Sequence, residues 1–423
     1  MIGTIDVHNR DVTVVGAGMA GMLAAYALDR KGYEVTLIEA ASRAGGLIHT
    51  DKTQWGMVEK AAHSILATPA VTALCEDLKV ETAEVQRRSR AKYILREGRL
   101  RRFPLSVLET LGVLRRACWV RGDATGDPTP KNITLEQWAL RHLGSSAVDY
   151  LLNPFVRGIY GVEPDEIGVE SAFPALMVPA GKSLIGNMLG KRREKQPRKM
   201  IAPLQGMGDL VEKLEKRLEL RLGSRFVKSR NIVELPEASN IVLSVPAYTA
   251  AGILAYRDPE LALSLQNIKY TPLISVTAFV QRAPRNHKIR GVGVLVPARE
   301  DRDCLGILFN SSSFPGRVVD EKHIDSFTMM LGGSQRTELL NASDQEIQEI
   351  VTREFHRVLN FQGSFDKLVI NRWPRAIPQY STSLPEVWKL AREGWCAKTG
   401  HVLFGNYTGQ VSLRGMIETA EKL

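Results

Sequence analysis

The first fifty residues contain a short apolar run, a longer apolar stretch and a second short run. Val12–Val15 is rich in β-branched residues, whereas Met19–Leu28 has Ala, Leu and Met at helical spacing and is followed by a basic pair and Gly32. Cations in a last helical turn and a glycine just after it are common signals for the end of a helix. A second β-type run, Val35–Ile38, comes next. The pattern predicts a β-α-β unit.

The pattern changes twice further along the chain. Residues 87–200 interrupt helical stretches such as Leu135–Leu143 with Pro, Gly and basic clusters, and an amphipathic helical pattern then covers Leu210–Leu220. Strand-like runs follow closely and predict a mostly antiparallel sheet with helices to one side. The later elements are strands at Asn240–Val245, Leu273–Val280, Val292–Val296, Leu305–Phe309, Phe327–Leu331 and Val402–Phe404, and a helix at Gln345–Leu359.

Length and pattern together predict several domains, because a chain of 423 residues is too long for one ordinary core. We expect the α/β fold class: a Rossmann-like dinucleotide-binding domain, an α+β substrate domain and a mainly helical insertion. The first domain is expected to be discontinuous, at 1–86, 201–250 and 365–423, with the insertion at 87–200 and the substrate domain at 251–364.

Composition narrows the chemistry. The four cysteines have neither CxxC nor zinc-ligand spacing, and the eight histidines are scattered without triad spacing, so we expect a reducing compartment, no metal and no Ser/His/Asp set. The net charge of +10 is concentrated in residues 87–200, which contain 21 Lys/Arg against 11 Asp/Glu. Such a segment suits nucleic acid, anionic lipid or an acidic substrate as a partner.

Neither a transmembrane helix nor a targeting segment is expected. The long uncharged stretch Ala238–Tyr256 contains Pro246 and several polar residues, which favours a buried strand, a turn and a helix. The N-terminus reaches its first strand-like run within a dozen residues and shows no signal-peptide pattern. We therefore expect a cytoplasmic protein.

A glycine motif stands between the first predicted strand and the first helix. It has GxGxxG spacing, at Gly16, Gly18 and Gly21. In this context the first glycine allows a tight turn, the second lets the backbone approach a pyrophosphate, and the third lets the helix pack closely on the strand. Glu39, at the end of the second strand, is placed to bind a ribose hydroxyl. NAD and FAD share this fingerprint, so the motif leaves the cofactor open.

A second glycine turn follows a few residues after Glu39. Its sequence is Ser42-Arg43-Ala44-Gly45-Gly46-Leu47-Ile48. Adjacent glycines and an arginine offer another close backbone approach and a positive charge for the pyrophosphate. This RxGG turn resembles the flavoprotein group that includes amine oxidases, phytoene desaturases and protoporphyrinogen oxidases. FAD is the cofactor that the resemblance implies.

Four further blocks resemble the protoporphyrinogen oxidase family specifically, and the similarity runs from Val12 to Ala420. The blocks are Asn153–Gly161 before Phe173-Pro174, Gly291–Pro297 with Leu305–Ser312 and Phe314-Pro315, Met330–Gly333, and Ala376–Tyr380. The resemblance implies an FAD-dependent oxidase of a tetrapyrrole late in haem synthesis, with molecular oxygen as acceptor and hydrogen peroxide as by-product. It leaves open whether the substrate is protoporphyrinogen IX or coproporphyrinogen III.

The same resemblance implies a set of site residues. Apolar side chains hold the flat substrate over the flavin, at positions that fall on Leu295, Leu308 and Met330. A cation facing a substrate propionate falls on Lys92, where the family more often has Arg with its bidentate fork. No acid or base residue is required, since the flavin supplies the electron sink. The implied cofactor-binding residues are Gly16, Gly18, Met19, Ala20, Gly21, Glu39, Ala40, Arg43, Gly45, Gly46, Leu47, Val227, Gly405, Val411 and Ser412.

In the family, the helical insertion docks on a membrane, which gives the basic region a purpose. We accordingly expect a protein that is peripheral on the inner face of the cell membrane, without a nucleic-acid partner; the resemblance also allows a homodimer. The candidate headgroup contacts are Arg99, Arg101, Arg102, Arg115, Arg116 and Lys191–Lys199, and the candidate inserting side chains are Leu111, Leu114, Trp119 and Val120.

Two departures from the family pattern keep other functions open. Ala61-Ala62 stands where the family usually has Gly-Pro, and the glycine expected at Gln410 comes one place early, at Gly409. Added side chains at close backbone approaches crowd a cofactor. One alternative is therefore a flavoprotein-like carrier or partner without oxidase activity. The other is an oxidase of amines or carotenoids, which is disfavoured because the turn at Gly405 lacks the Gly-Glu step of amine oxidases.

Overall fold

The structure is a computed structural model, and it describes residues 1–122, 132–190, 199–232, 235, 240–282 and 290–423. Most of the predicted basic linker, residues 191–198, lies outside this described part. The strands are β1 (Asp11–Val15), β2 (Glu34–Ile38), β3 (Thr50–Lys52), β4 (Met57–Glu59), β5 (Ile65–Leu66), β6 (Thr82–Glu84), β7 (Lys92–Arg96), β8 (Arg99–Arg101), β9 (Met200–Pro203), β10 (Phe226–Val227), β11 (Asn240–Leu243), β12 (Tyr270–Gln281), β13 (Gly293–Leu295), β14 (Cys304–Phe309), β15 (Ile324–Gly332), β16 (Lys367–Pro378) and β17 (His401–Leu403).

The helices lie between these strands and after the last one. They are α1 (Met19–Arg30), α2 (Pro69–Asp77), α3 (Val107–Trp119), α4 (Leu135–His142), α5 (Ser145–Ala147), α6 (Asn153–Tyr160), α7 (Val169–Ala172), α8 (Leu184–Gly190), α9 (Met207–Leu222), α10 (Ala247–Leu254), α11 (Pro259–Gln266), α12 (Asn310–Ser313), α13 (Asp344–Leu359), α14 (Leu384–Glu393) and α15 (Leu413–Ala420). A π-helical turn, Val148–Leu152, leads into α6.

One sheet of the described chain is parallel, with the strand order β10-β2-β1-β11-β17. Numbered along the chain, this is the order 3-2-1-4-5 of a Rossmann-type sheet, with its reversal point between β1 and β11. Alternate residues of the buried strands point to opposite faces. Val14 therefore joins the core under α1, α9 and α15, whereas Val15 joins the core under α10, α11 and α14. The predicted Rossmann-like α/β unit is confirmed.

The other large sheet has the order β16-β12-β15-β14-β13-β7-β8 and is antiparallel except between β13 and β7. Its apolar face packs on α13, where Ile274, Val276 and Met329 are fully buried. The opposite face carries Ser275 and Thr277 from the same strand. The hairpin β7–β8 belongs to the basic region by sequence, yet it completes this sheet by pairing with β13.

The helices between residues 107 and 190 pack around Trp138 of α4 in a core that also contains Tyr380 and Leu384, and His142 of α4 lies near Trp138. Their rings lie 5.1 Å apart, and both side chains are 1% exposed. None of the helices in the described part of the chain combines the length and apolarity that crossing a membrane requires.

Burial of His142 predicts an acid-sensitive helical region. Burial lowers the pKa of His142 to about 4, below the value near 6.5 that it takes in the unfolded chain. The neutral ring thus contributes stability above about pH 6.5, and that contribution is lost as the pH falls through the folded-state pKa. We expect the melting temperature of a His142→Phe variant to fall less between pH 7 and pH 4 than that of the wild type. Equal falls would contradict this, as measured by thermal unfolding followed by circular dichroism.

Candidate active site

The first glycine loop connects β1 to α1 at the carboxyl edge of the parallel sheet. The Gly16 amide donates to the Ile38 carbonyl over 2.7 Å, and its φ of +95° suits glycine. A Cβ on Gly21 would lie 1.8 Å from the Gly16 oxygen, which explains the third glycine by close packing. At Gly18, by contrast, a Cβ would meet no protein atom within 4 Å. The open space lies at the N-terminus of α1, which no side chain caps.

The second glycine loop lies directly against the first. The Gly45 amide donates to the Ala17 carbonyl over 2.8 Å, and a Cβ on Gly46 would approach the Gly18 Cα to 3.3 Å. The exposed Arg43 guanidinium donates to the Ala44, Gly46 and Ile48 carbonyls at 2.9, 2.6 and 3.3 Å. The N–H groups of Arg43 therefore fix the shape of the loop, and its positive charge remains exposed beside the loop.

Glu39 connects the end of β2 to this pair of loops. Its carboxylate accepts from the Ala17 amide at 2.6 Å and from the Ala41 amide at 2.9 Å, and its own amide donates to the Val227 carbonyl at 2.8 Å. The expected ribose-binding acid is thus half-buried beside the first loop. Met19 is buried, Ala20 and Val227 are half-buried, and Ala40 and Leu47 are exposed around it.

The last turn follows β17, whose carboxyl end lies at the same sheet edge. Gly405 begins it, and Ser412 ends it by capping α15 through the Gly415 amide. Gly409 has a φ of +95°, and the Gln410 carboxamide lies against Gly415, where a Cβ would be 2.1 Å from its oxygen. The unexpected Gln410 side chain is therefore accommodated by α15.

Ala61 and Ala62, the other departure, pack on the core of the parallel sheet. Half-buried Val411 packs on the helical core around Trp138. Thus the residues expected to bind a cofactor follow the carboxyl ends of the parallel strands β1, β2, β10 and β17, which is where ligands of such sheets bind.

The residues expected to bind the substrate lie on one face of the seven-stranded sheet, away from α13. Residues directly opposite each other on neighbouring strands point to the same face. They form two adjacent rows, which are Lys92, Gly293, Leu308 and Thr328, and then Arg101, Ile94, Leu295, Gly306 and Met330. We call this surface the slot face. Gly293 and Gly306 leave room between the larger side chains.

Leu295, Leu308 and Met330 are half-buried on the slot face. Their sequence neighbours Val294, Ile307 and Met329 are at most 2% exposed and form the opposite face. Lys92 is exposed, and within the described residues no carboxylate pairs with it. The geometry therefore places three apolar side chains together with a free cation at their edge.

The helix α6 borders the slot face and supplies apolar residues that the sequence did not single out. A Cβ on Gly158 would lie 2.4 Å from Leu295 Cδ2, so helix and strand meet there. Phe155 and Ile159, one helical turn apart, are 40% and 42% exposed beside this contact. Their spacing of four residues inside the Asn153–Gly161 block is the sequence signal that marks them.

A buried ion pair at the end of β4 was also missed. Arg317 Nη1 lies 2.7 Å from Glu59 Oε1, and both side chains are 4% exposed. A small recess of about 90 Å³ beside the pair is lined by His63 and Leu308 among others. Burial and the neighbouring Arg317 lower the pKa of His63 to about 3 and keep its ring neutral. Glu59 and Arg317 are far apart in sequence, so no local pattern marks them.

This edge of the sheet fits FAD on three observations. The space at Gly18 is open, the amides of the first turn of α1 are uncapped, and the Glu39 carboxylate and the Arg43 guanidinium both lie against the glycine loops. An uncapped helix N-terminus favours a pyrophosphate. Among the described residues, no three His, Cys, Asp or Glu side chains are placed to hold a metal ion.

Comparison with known proteins gives the class. The family model "Flavin containing amine oxidoreductase" matches residues 19–421. Protoporphyrinogen oxidase 2, chloroplastic/mitochondrial, of Arabidopsis thaliana is 26% identical over 96% of this chain and 91% of its own length. Coproporphyrinogen III oxidase of Bacillus subtilis (strain 168) is 23% identical over 91% and 90%. A crystal structure from Exiguobacterium sp. 255-15, described provisionally as a protoporphyrinogen oxidase, has a TM-score of 0.77 and 19% identity, covering 99% of this chain and 98% of that chain.

The chain belongs to the family of flavin-containing amine oxidoreductases, because the family model matches nearly its whole length. It is an FAD-dependent oxidoreductase, and it is similar to protoporphyrinogen oxidases and to coproporphyrinogen III oxidases. The predicted cofactor and enzyme class are confirmed.

Proposed function

We propose that the protein oxidises a porphyrinogen to the porphyrin, namely protoporphyrinogen IX to protoporphyrin IX in haem biosynthesis, with oxygen as acceptor and hydrogen peroxide released. The observation that carries the proposal is the slot face. It presents Leu295, Leu308 and Met330 to a flat apolar molecule and has exposed cations at one edge. The names of the relatives from Arabidopsis and Bacillus support the same substrate class.

The reaction suits a site without an acid–base set. Bound FAD supplies the electron sink for hydrogen removed from a methylene bridge. The protein's part is to orient the ring system and to exclude water. Apolar side chains from β13, β14, β15 and α6 fit that part, because they bind the macrocycle faces without competing for its nitrogens.

The charge at the edge of the slot face fits a substrate that carries propionates. Arg101 pairs with Ile94, which pairs with Leu295, so its side chain shares the face on which Lys92 stands. Both cations are exposed. Arg99, two positions before Arg101 on β8, is also exposed and points to the same face, so three cations are available to substrate propionates. Protoporphyrinogen IX carries two propionates and coproporphyrinogen III carries four, so the comparison of their kinetics decides between them.

Anaerobic mixing tests the proposal. The purified yellow protein is mixed with each porphyrinogen, flavin bleaching is followed at its visible band, and porphyrin fluorescence is recorded after air is admitted. We expect bleaching with both compounds and a higher kcat/KM with protoporphyrinogen IX. Unchanged flavin absorbance with both would contradict the proposal, and a protein that takes up no FAD would favour a carrier.

Removal of Arg101 is expected to weaken substrate binding selectively. An exposed charge pair contributes up to about 1 kcal/mol, so Arg101→Ala should raise the KM for protoporphyrinogen IX about fivefold and leave kcat nearly unchanged. Arg102→Ala is the matched control, because Arg102 is an exposed neighbour outside the hairpin pairs. Steady-state kinetics at constant ionic strength make the comparison. Equal effects of the two substitutions would show that only overall charge matters.

The helix α3 supports attachment to the inner face of the cell membrane, which is the second part of the proposal. A capping box of Ser106 and Glu109 starts this helix, so its exposed apolar side chains are held on a regular surface. They are Val107 (76% exposed), Leu108 (82%), Leu111 (58%), Leu114 (49%) and Trp119 (78%). A contiguous apolar patch of this kind is typical of an interaction surface. Arg115 adds an exposed cation to it.

Vesicle sedimentation tests this attachment. Each cation near an anionic surface contributes about 1 kcal/mol, and the apolar side chains contribute by entering the interface. We expect Leu108→Asp and Arg115→Glu to reduce co-sedimentation with phosphatidylglycerol vesicles severalfold. Leu220→Asp is the control, since Leu220 is an equally exposed leucine (83%) on α9. Sedimentation that is insensitive to salt and to these changes would argue against membrane docking.

A further inference from the structure

Trp373 of β16 contacts both sides of the active-site region. Its indole pairs across the strands with Leu273 and packs, as Met330 does, on the small apolar cluster of Leu273, Leu305 and Ala376. Its Nε1 donates to the Lys60 carbonyl over 2.8 Å. Lys60 directly follows β4 and precedes Ala61 and Ala62, which pack on the core of the parallel sheet. The Trp373 side chain therefore connects the slot face to the segment that follows β4.

Arg317 also binds the same segment, at Glu59 and His63. Besides the ion pair with Glu59, its Nη2 donates to the His63 carbonyl over 3.5 Å. Its backbone carbonyl accepts from the Met57 amide over 3.1 Å. Trp373 and Arg317 thus bind residues 59–63 near both ends, and both residues belong to the unit that contains the seven-stranded sheet.

The Glu59 carboxylate also bonds this segment to residues of the nucleotide-binding unit. It accepts from Thr50 Oγ1 at 2.6 Å and from the Met207 amide, at the start of α9, at 2.8 Å. With Arg317 these bonds occupy both carboxylate oxygens. A buried charge with this many partners is costly to disturb, so the segment is anchored to β3 and to the start of α9 as well as to Arg317.

We propose that Trp373 and Arg317 are positioning residues that clamp residues 59–63 and thereby fix the distance between the slot face and the glycine loops. The inference rests on the proposed function in that the slot face is taken to bind the reducing substrate. Transfer between two bound molecules depends steeply on their separation, and a displacement of about 1 Å costs on the order of 100-fold. A clamp between the two binding surfaces therefore acts on the rate of reduction more than on the affinity for either molecule.

Trp373→Phe is the informative variant, because it keeps an aromatic ring and removes only the donor to Lys60. We expect hydrogen–deuterium exchange of residues 60–63 to rise about tenfold in the FAD-free protein. The rate constant of flavin reduction, measured per bound flavin by anaerobic stopped flow, should fall about tenfold, with flavin content and porphyrinogen Kd within about twofold. Arg317→Lys, which keeps the charge facing Glu59, should show a smaller effect in the same direction.

Trp395→Phe is the matched control, since the Trp395 Nε1 has no hydrogen-bond partner to lose, and it should match the wild type in both measurements. Unchanged exchange and an unchanged reduction rate in Trp373→Phe would overturn the clamp. A loss of flavin or stability without a change in the rate per bound flavin would also overturn it, because that is the behaviour of a purely structural residue. If neither porphyrinogen reduced the flavin of the wild type, the proposed substrate would be refuted. Raised hydrogen–deuterium exchange in Trp373→Phe would still support the clamp in that case.

Discussion

A Gly18→Val protein is expected to fold normally and to be colourless. The Cβ of residue 18 meets no protein atom within 4 Å, so the apoprotein has room for the side chain. That room lies over the uncapped first turn of α1, where the FAD pyrophosphate is expected to bind. Losing two charge-assisted hydrogen bonds to it costs about 3 kcal/mol, or about 100-fold in affinity.

Substitutions at two other glycines distinguish a loss of FAD binding from a loss of folding. Gly21→Ala should fail to fold well, because its Cβ would lie 1.8 Å from the Gly16 oxygen. Gly252→Ala, in the exposed part of α10 with nothing within 4 Å, should keep both fold and flavin. The measurements are the ratio of flavin to protein absorbance and the melting temperature of the FAD-free protein. A Gly18→Val protein as yellow as the wild type would place the pyrophosphate elsewhere.

Local sequence signals were sufficient to predict the first elements of the nucleotide-binding unit. The glycine loop, the strand before it and the helix after it are contiguous in sequence, so β1, α1 and β2 could be predicted within a few residues. Strand ends were less certain where the backbone is irregular. The run predicted from Leu273 begins at Tyr270 in β12, because a β-bulge between Thr271 and Leu273 accommodates Pro272.

Features made by residues distant in sequence had no such signal. The hairpin β7–β8 carries cations on the slot face and stands in a basic region, so its strand character shows only when it pairs with β13. Arg101 is a candidate headgroup contact by sequence alone, and the hairpin register adds that it lies beside Ile94 on the slot face. Trp373 and Lys60 are separated by 313 positions, and only the folded chain brings them together.

Met330→Asp is expected to keep FAD and lose porphyrinogen oxidation. Met330 is half-buried, so an aspartate there reaches water in the free protein and the fold tolerates it. Bound substrate would cover the carboxylate against Leu273 and Trp373, and burying an unpaired charge costs several kcal/mol. Since 3 kcal/mol corresponds to more than 100-fold, we expect kcat/KM to fall by about that factor.

The adjacent methionine separates this effect from general disruption. Met329 is fully buried against α13, so Met329→Asp should not fold, whereas Met330→Leu should stay within about threefold of the wild type. Flavin content, melting temperature and kcat/KM are measured for all three variants. If Met330→Asp oxidised porphyrinogen at the wild-type rate, the macrocycle would have to bind away from β15. The slot face would then be a domain surface with no direct part in catalysis, since Leu295 and Leu308 stand in the same two rows as Met330.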